Sequence, residues 1–189
     1  MDRKTLCALG LNTTCGIPAH TLFSPEFDPE QFGLRNEDKK TIGVLRDFVA
    51  QYNREIPLDE RKALSSPDDG AKTMYPVFRD LDHEEVWAIF LSKANLPITK
   101  KMICSGSLDQ SVIDRRKIVK QALDLNAVGV ILSHNHPSGN PRPSSADIKE
   151  TDGLRAALGF FDIKLIDHII IAASGYYSFA DETVTQFHK

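Results

Sequence analysis

The sequence predicts a mixed α/β or α+β fold, one sheet flanked by helices, with a small helical extension at its N-terminus. Three observations predict it. Residues 128–132, Val-Gly-Val-Ile-Leu, form a short continuous apolar run of the kind found in a strand buried on both faces. Other strand-like segments at 84–92, 98–104, 163–172 and 176–180 are interleaved with stretches of helical spacing at 68–79, 114–125 and 145–158. Residues 1–62 differ in pattern, alternating polar turns with one plausible amphipathic helix.

The elements follow in order. In the first part a helix is expected over 36–52, where Ile42, Leu45, Phe48 and Val49 recur at helical intervals. The charged segment Pro57-Leu58-Asp59-Glu60-Arg61-Lys62 reads as a linker, dividing the chain into an extension, 1–62, and a main domain, 63–189. Ser66-Pro67 precedes the helix at 68–79. The strands at 84–92 and 98–104 are joined through Asn95-Leu96-Pro97, which suits a hairpin turn. Asp114 caps a helix through 125, with Ile118, Val119, Ala122, Leu123 and Leu125 supplying its apolar side. The buried strand at 128–132 then runs into a loop rich in Pro, Gly and Asn, the helix at 145–158 and the last two strands.

Composition bounds the function only loosely. A chain of 189 residues is ample for one domain of about 100–150 residues plus an extension. With 23 Lys plus Arg against 26 Asp plus Glu, the net charge of −3 gives no general attraction to nucleic acid or to an anionic membrane. Cys7, Cys15 and Cys104 are odd in number and without Cys-x-x-Cys spacing, so neither a disulfide framework nor a Cys-rich zinc site is indicated, and the reducing cytoplasm is the expected compartment. The apolar run at 6–11 is too short for a secretory h-region, and no stretch approaches the ~20 apolar residues of a membrane span.

Chemistry concentrates after the buried strand, in Ser133-His134-Asn135-His136-Pro137-Ser138-Gly139-Asn140-Pro141-Arg142-Pro143-Ser144-Ser145-Ala146-Asp147. In extended backbone, residues two apart project to one side, so His134 and His136 can address one point. Asp147 sits in the first turn of the following helix. Two imidazoles and a carboxylate are a three-ligand set that leaves zinc a fourth position for water, the pattern of a catalytic site; iron, manganese or nickel suit the same donors. Each residue has a plainer reading. Two loop histidines alone are more often surface residues than ligands, and Ser144-x-x-Asp147 is also a helix-capping signal, with Ser145 a competing cap.

The order His-x-His-Pro, six residues, then Ser-x-x-Asp resembles the JAMM motif of MPN-domain metallopeptidases, and the wording His-Asn-His-Pro-Ser-Gly-Asn-Pro is that of the bacterial RadC family. The likeness extends from Leu64-Ser65-Ser66-Pro67 through Asp82-His83-Glu84-Glu85-Val86 and residues 116–126 to Leu165-Ile166-Asp167-His168 and Phe179. It implies an MPN/JAB-type, cytidine-deaminase-like sheet. It also implies one Zn²⁺ per chain held by His134, His136 and Asp147, with Ser144 and an upstream glutamate, placed by the family pattern at Glu84, completing a catalytic site. Strand alternation sets Glu84, Val86 and Ala88 against Glu85, Trp87 and Ile89, so only one of the two glutamates can reach the metal; Glu85 should be replaceable with little effect. The implied activity is hydrolysis of a peptide or isopeptide bond in a peptide or protein substrate.

RadC relatives often carry a Gly-rich helix-hairpin-helix that contacts DNA; residues 1–62 hold no Gly-x-Gly hairpin, so this is not carried over. Two other classes remain in view. A DNA repair or recombination factor would use Lys100, Lys101, Arg115, Arg116, Lys117 and Lys120 against phosphates, though such a run is more often a solvated helix face, and no aromatic stacking motif accompanies it. A non-catalytic MPN scaffold is expected to have lost ligands, whereas this chain keeps each one; a loop at 95–101 or 105–111 would have to close the site. His168, in an apolar strand, reads as a hydrogen-bonded structural histidine with a supporting role open to it, and His20, His83 and His188 form no constellation.

Overall fold

The computed structural model describes residues 31, 33–34, 36–55, 58–59, 62–106 and 113–187. The expectations for the run at 6–11, Cys7, Cys15, His20, half of the linker, much of the loop at 105–111 and His188 lie outside these residues. The chain divides into two compact units, Met1–Ile56 and Pro57–Lys189. In the first, helix α1 (Asn36–Glu55) runs three residues beyond the expected Tyr52. Ile42 is buried as its periodicity required, but Phe48 is 66% exposed and does not share that face.

The second unit is a six-stranded mixed sheet with helices on both faces. Its strands are β1 (Glu85–Leu91), β2 (Pro97–Ser105), β3 (Gly129–Asn135), β4 (Lys164–Ala172), β5 (Gly175–Ser178) and β6 (Thr183–Gln186), in the order β2-β1-β3-β4-β5-β6. Only β3 and β4 pair in parallel. A parallel pair needs a crossover, supplied here by helix α4 (Ser145–Gly159), and that crossover leaves room for a loop at the C-terminal end of β3. Helix α3 (Arg115–Asp124) links β2 to β3, and helix α2 (Pro67–Phe78) precedes β1.

Strand alternation builds two cores. Val86, Ala88 and Phe90 of β1 join Val130 and Leu132 of β3, Ile118 and Ala122 of α3, and Leu154 and Leu158 of α4. Trp87, Ile89 and Leu91 face the other way, with Ile131, Ile169 and the α2 residues Ala71, Met74 and Val77. Burial on both faces is why β1 and β3 read as unbroken apolar runs. Gly70 lets α2 lie close against β4: a Cβ there would meet Ile169 Cδ1 at 2.5 Å.

Boundaries shift by a residue or two where caps decide. α2 begins at Pro67, not Asp68, because proline fits the first helical position, and Ser66 and Asp69 form a reciprocal capping box before it. Asp114 caps α3 as expected, its side chain accepting from the Arg116 N–H; Leu123, however, is 46% exposed and lies off the apolar face. β1 starts at Glu85, so Glu84 stands one residue before the ladder and Ser92 one after it. β3 continues past Leu132 to Asn135. The last strand, β6, went unpredicted: every residue of Thr183–Gln186 is exposed, and an edge strand buried on neither face leaves no alternation to read.

Candidate metal centre

Inside β3, Val130 and Leu132 root the strand in one core, and their face continues to His134, which is fully buried. His136 lies just past the strand end, its backbone N–H donating to the Ile171 carbonyl of β4. Asp147 comes from the first turn of α4, also buried, where the helix N-terminus favours a carboxylate. His134 Nε2 is 2.9 Å from His136 Nε2 and 3.3 Å from Asp147 Oδ1, and His136 Nε2 is 3.7 Å from Asp147 Oδ2. All three donor groups fall within 4.8 Å of one another. Among the described residues no other cluster of this kind occurs.

The surrounding hydrogen bonds orient each imidazole. The Thr151 hydroxyl gives its one hydrogen to the Asp147 carbonyl at 2.6 Å, so its oxygen must accept from His168 Nδ1, also at 2.6 Å. Burial drives the His168 pKa well below the ordinary histidine value and leaves the ring neutral, so His168 Nε2 is an acceptor. It therefore receives His134 Nδ1–H, at 2.9 Å. Burial likewise lowers the His134 pKa to about 4, against the pull of Asp147 and with some help from His136. On the other side, His136 Nδ1 is 2.8 Å from the Asn140 carbonyl, which can only accept. His134 thus carries its proton on Nδ1 and turns a bare Nε2 lone pair inward, and His136, with a proton on Nδ1, turns its Nε2 to the same point. A cation placed there would be ligated by two ring nitrogens and a carboxylate oxygen. The donor set fits a divalent metal of the zinc type.

The structure places the two sequence-predicted catalytic residues differently. Val86 pairs with His134 across β1 and β3, so Glu84, two residues earlier and half-buried, continues the face of β1 that His134 occupies on β3. Ser144 is the N-cap of α4, not Ser145. Its hydroxyl donates to Asp147 Oδ2 at 2.6 Å and accepts from the Asp147 N–H, while its own N–H donates to Oδ2 at 2.7 Å.

Glu85 has partners of its own. It is buried on the opposite face, where its carboxylate accepts from Trp87 Nε1 at 2.9 Å and lies 3.1 Å from His83 Nε2. Asp82 and then Glu85 raise the His83 pKa, against its partial burial.

Four of the basic residues are engaged within the fold. Arg115 makes a two-pronged contact to Glu150 of α4, Arg116 bonds Asp114, Lys117 donates to the Ile103 carbonyl and Lys120 pairs with Asp124. Burial lowers the Lys100 pKa. Cys104 is a half-buried free thiol whose pKa burial raises. No described helix is long and apolar enough to cross a membrane.

Sequence reasoning missed Thr151 and Asn135. Thr151 follows Asp147 by four residues on one helical face, a usable signal; Asn135 is masked by the two histidines beside it.

Comparison with known proteins agrees with this geometry. A family model described as the RadC-like JAB domain matches residues 64–184. A UPF0758 protein of Flavobacterium johnsoniae is 39% identical over 148 residues, covering 78% of this chain and 65% of that protein. A UPF0758 protein of Vibrio cholerae is 39% identical over 156 residues, covering 80% and 69%, and one of Salinibacter ruber is 40% identical over 126 residues, covering 67% and 54%. The matched region thus spans roughly half to two thirds of these relatives' own length. With the family model covering more than half of the sequence and the His/Asp cluster inside it, the chain belongs to the RadC family and carries a RadC-like JAB domain.

Proposed function

We propose that this protein is a zinc-dependent hydrolase of the JAMM type that cleaves a peptide or isopeptide bond in the cytoplasm. The observation that carries the reading is the convergence of His134 Nε2 and His136 Nε2 with the buried carboxylate of Asp147. Zinc bound there supplies Lewis acidity and brings the pKa of a water to about 7.

The chain's own groups do the rest. Glu84, on the His134 face, would take a proton from the attacking water and give it to the leaving amine. The Ser144 hydroxyl turns from Asp147 Oδ2 to the developing oxyanion, a donor role worth about 3 kcal/mol in other enzymes, while its backbone N–H keeps Asp147 in place. His168 and Thr151 hold the His134 tautomer throughout.

Elemental analysis of protein purified without chelators tests the metal: about one zinc per chain is expected, sharply reduced by His134→Ala, His136→Ala or Asp147→Ala. A peptide and isopeptide library should then show cleavage that a chelator abolishes and zinc restores. Absence of any specific divalent metal from the wild type would remove the reading.

A further inference from the structure

We propose that Asn135 is a positioning residue that sets Glu84 against the metal face; this rests on the hydrolase reading and gives it a further working part. Asn135 lies between the two candidate ligands, yet its side chain turns to the other face of β3 and is buried. There its Oδ1 accepts from the Glu85 N–H at 2.8 Å, and its Nδ2 donates to the His83 carbonyl at 2.8 Å. The two contacts fall on the residues immediately before and after Glu84.

The amide orientation is fixed by its partners, since a backbone N–H only donates and a carbonyl only accepts. The ladder between β1 and β3 ends at Val86 and His134, so beyond it the Asn135 side chain takes over the work of backbone pairing. From the other side, the Gly106 N–H donates to the Glu84 carbonyl at 2.9 Å. Residues 83, 84 and 85 are thus each held through their backbone. The strand end that bears His134 and His136 also bears the amide that brackets the base, so ligands and base share one rigid frame.

The chemistry demands an amide at this position. Aspartate keeps an acceptor for the Glu85 N–H but sets a carboxylate oxygen against the His83 carbonyl; alanine removes both contacts. Either change loosens the backbone beside Glu84 without replacing a ligand.

The test uses Co²⁺ as the probe metal, whose visible spectrum reports the ionisation of its ligands without any substrate. Wild type, Glu84→Gln, Asn135→Ala, Asn135→Asp and the Glu84→Gln/Asn135→Ala double variant are loaded with Co²⁺ and titrated from about pH 5 to 9, around the zinc-water pKa of about 7. Each is expected to bind one Co²⁺. Glu84→Gln should move the spectral midpoint by about one pH unit through loss of a neighbouring carboxylate. Both Asn135 variants should move it in the same direction, and the double variant should lie with Glu84→Gln alone, since the two act as one unit.

A merely structural Asn135 would lower thermal stability and leave the spectral midpoint where it was. That result, with Glu84→Gln shifted, overturns the proposal while leaving the hydrolase reading intact. A Glu84→Gln midpoint equal to that of the wild type, or a wild type that binds no Co²⁺, overturns both. Should Asn135→Ala fail to fold, Asn135→Asp, which keeps the Glu85 contact, decides.

Discussion

Val86 of β1 stands directly opposite His134 of β3, and both side chains point into the core that α3 and α4 cover. That single register puts two adjacent glutamates on opposite faces. Glu84 continues the His134 face, while Glu85 belongs to the face of Trp87.

Glu84→Gln should therefore keep the metal and lose turnover, because a proton carrier goes and no ligand does. Glu85→Gln should keep turnover and lose stability, by about 1–3 kcal/mol, because a buried carboxylate that accepts from Trp87 and contacts His83 loses its charge and the charge-assisted bonds it makes. Zinc analysis, chemical denaturation and an activity assay on the two variants separate the outcomes; the opposite ranking would mean that the register is misread by one residue.

Thr151→Val tests the tautomer relay. Valine fills the same space and removes the oxygen that receives His168 Nδ1–H, so His168 is free to carry its proton on Nε2 and meet His134 as a donor. Zinc affinity, measured by competition with a chelator, should fall about 10–100-fold. Unchanged affinity would show that the His134 tautomer is set without Thr151.

How far these features could be read from the sequence depends on whether the signal is local. The apolar runs of β1 and β3 announce strands buried on both faces, and the cap at Asp114 gives a helix start to the residue. The three metal-binding candidates were legible because two sit at strand spacing and the third at a helix start. Partners from distant segments were not. The contact of Asn135 with residues 83 and 85 spans some fifty positions, and nothing in either segment names the other. The relay through His168 likewise needs α4 and β4 brought side by side. Phe48 and Leu123 failed for a different reason, since an apolar residue at the edge of a stripe is placed inside or outside only by what packs there.

The metal-free protein should lose stability on mild acidification. Burial holds His134 at about 4 and His168 well below its ordinary value, whereas both titrate near 6.5 in the unfolded chain. For groups with a depressed folded pKa of this basic kind, the unfolded state binds protons first, so the stability is fully present above about 6.5 and drains away as the pH falls towards 4. His134 alone accounts for something on the order of 3 kcal/mol across that window. Urea midpoints of chelator-treated protein between about pH 6.5 and 5, above the range of most carboxylates, should fall with pH, and His168→Gln should flatten the slope. A flat wild-type profile would contradict the neutral, buried state of both rings.

The last prediction concerns Arg115 and Gly153, which tie α3 to α4 beneath the site. Arg115 lies across α4 to reach Glu150 with Nε at 3.1 Å and a terminal nitrogen at 3.3 Å. A Cβ on Gly153 would meet the guanidinium at 2.3 Å, so the glycine is the gap through which the arginine passes. Two effects of similar size then oppose each other in Gly153→Ala. Helix propensity gains about 1 kcal/mol, and displacement of a half-exposed two-pronged pair costs up to about 1 kcal/mol, so the single variant should be close to neutral. In an Arg115→Ala background the clash is gone and only the gain remains, so the same substitution should stabilise by about 1 kcal/mol. Denaturation midpoints of the four proteins close the cycle. Equal effects of Gly153→Ala in both backgrounds would mean that the guanidinium does not depend on the glycine, and that another contact joins these helices.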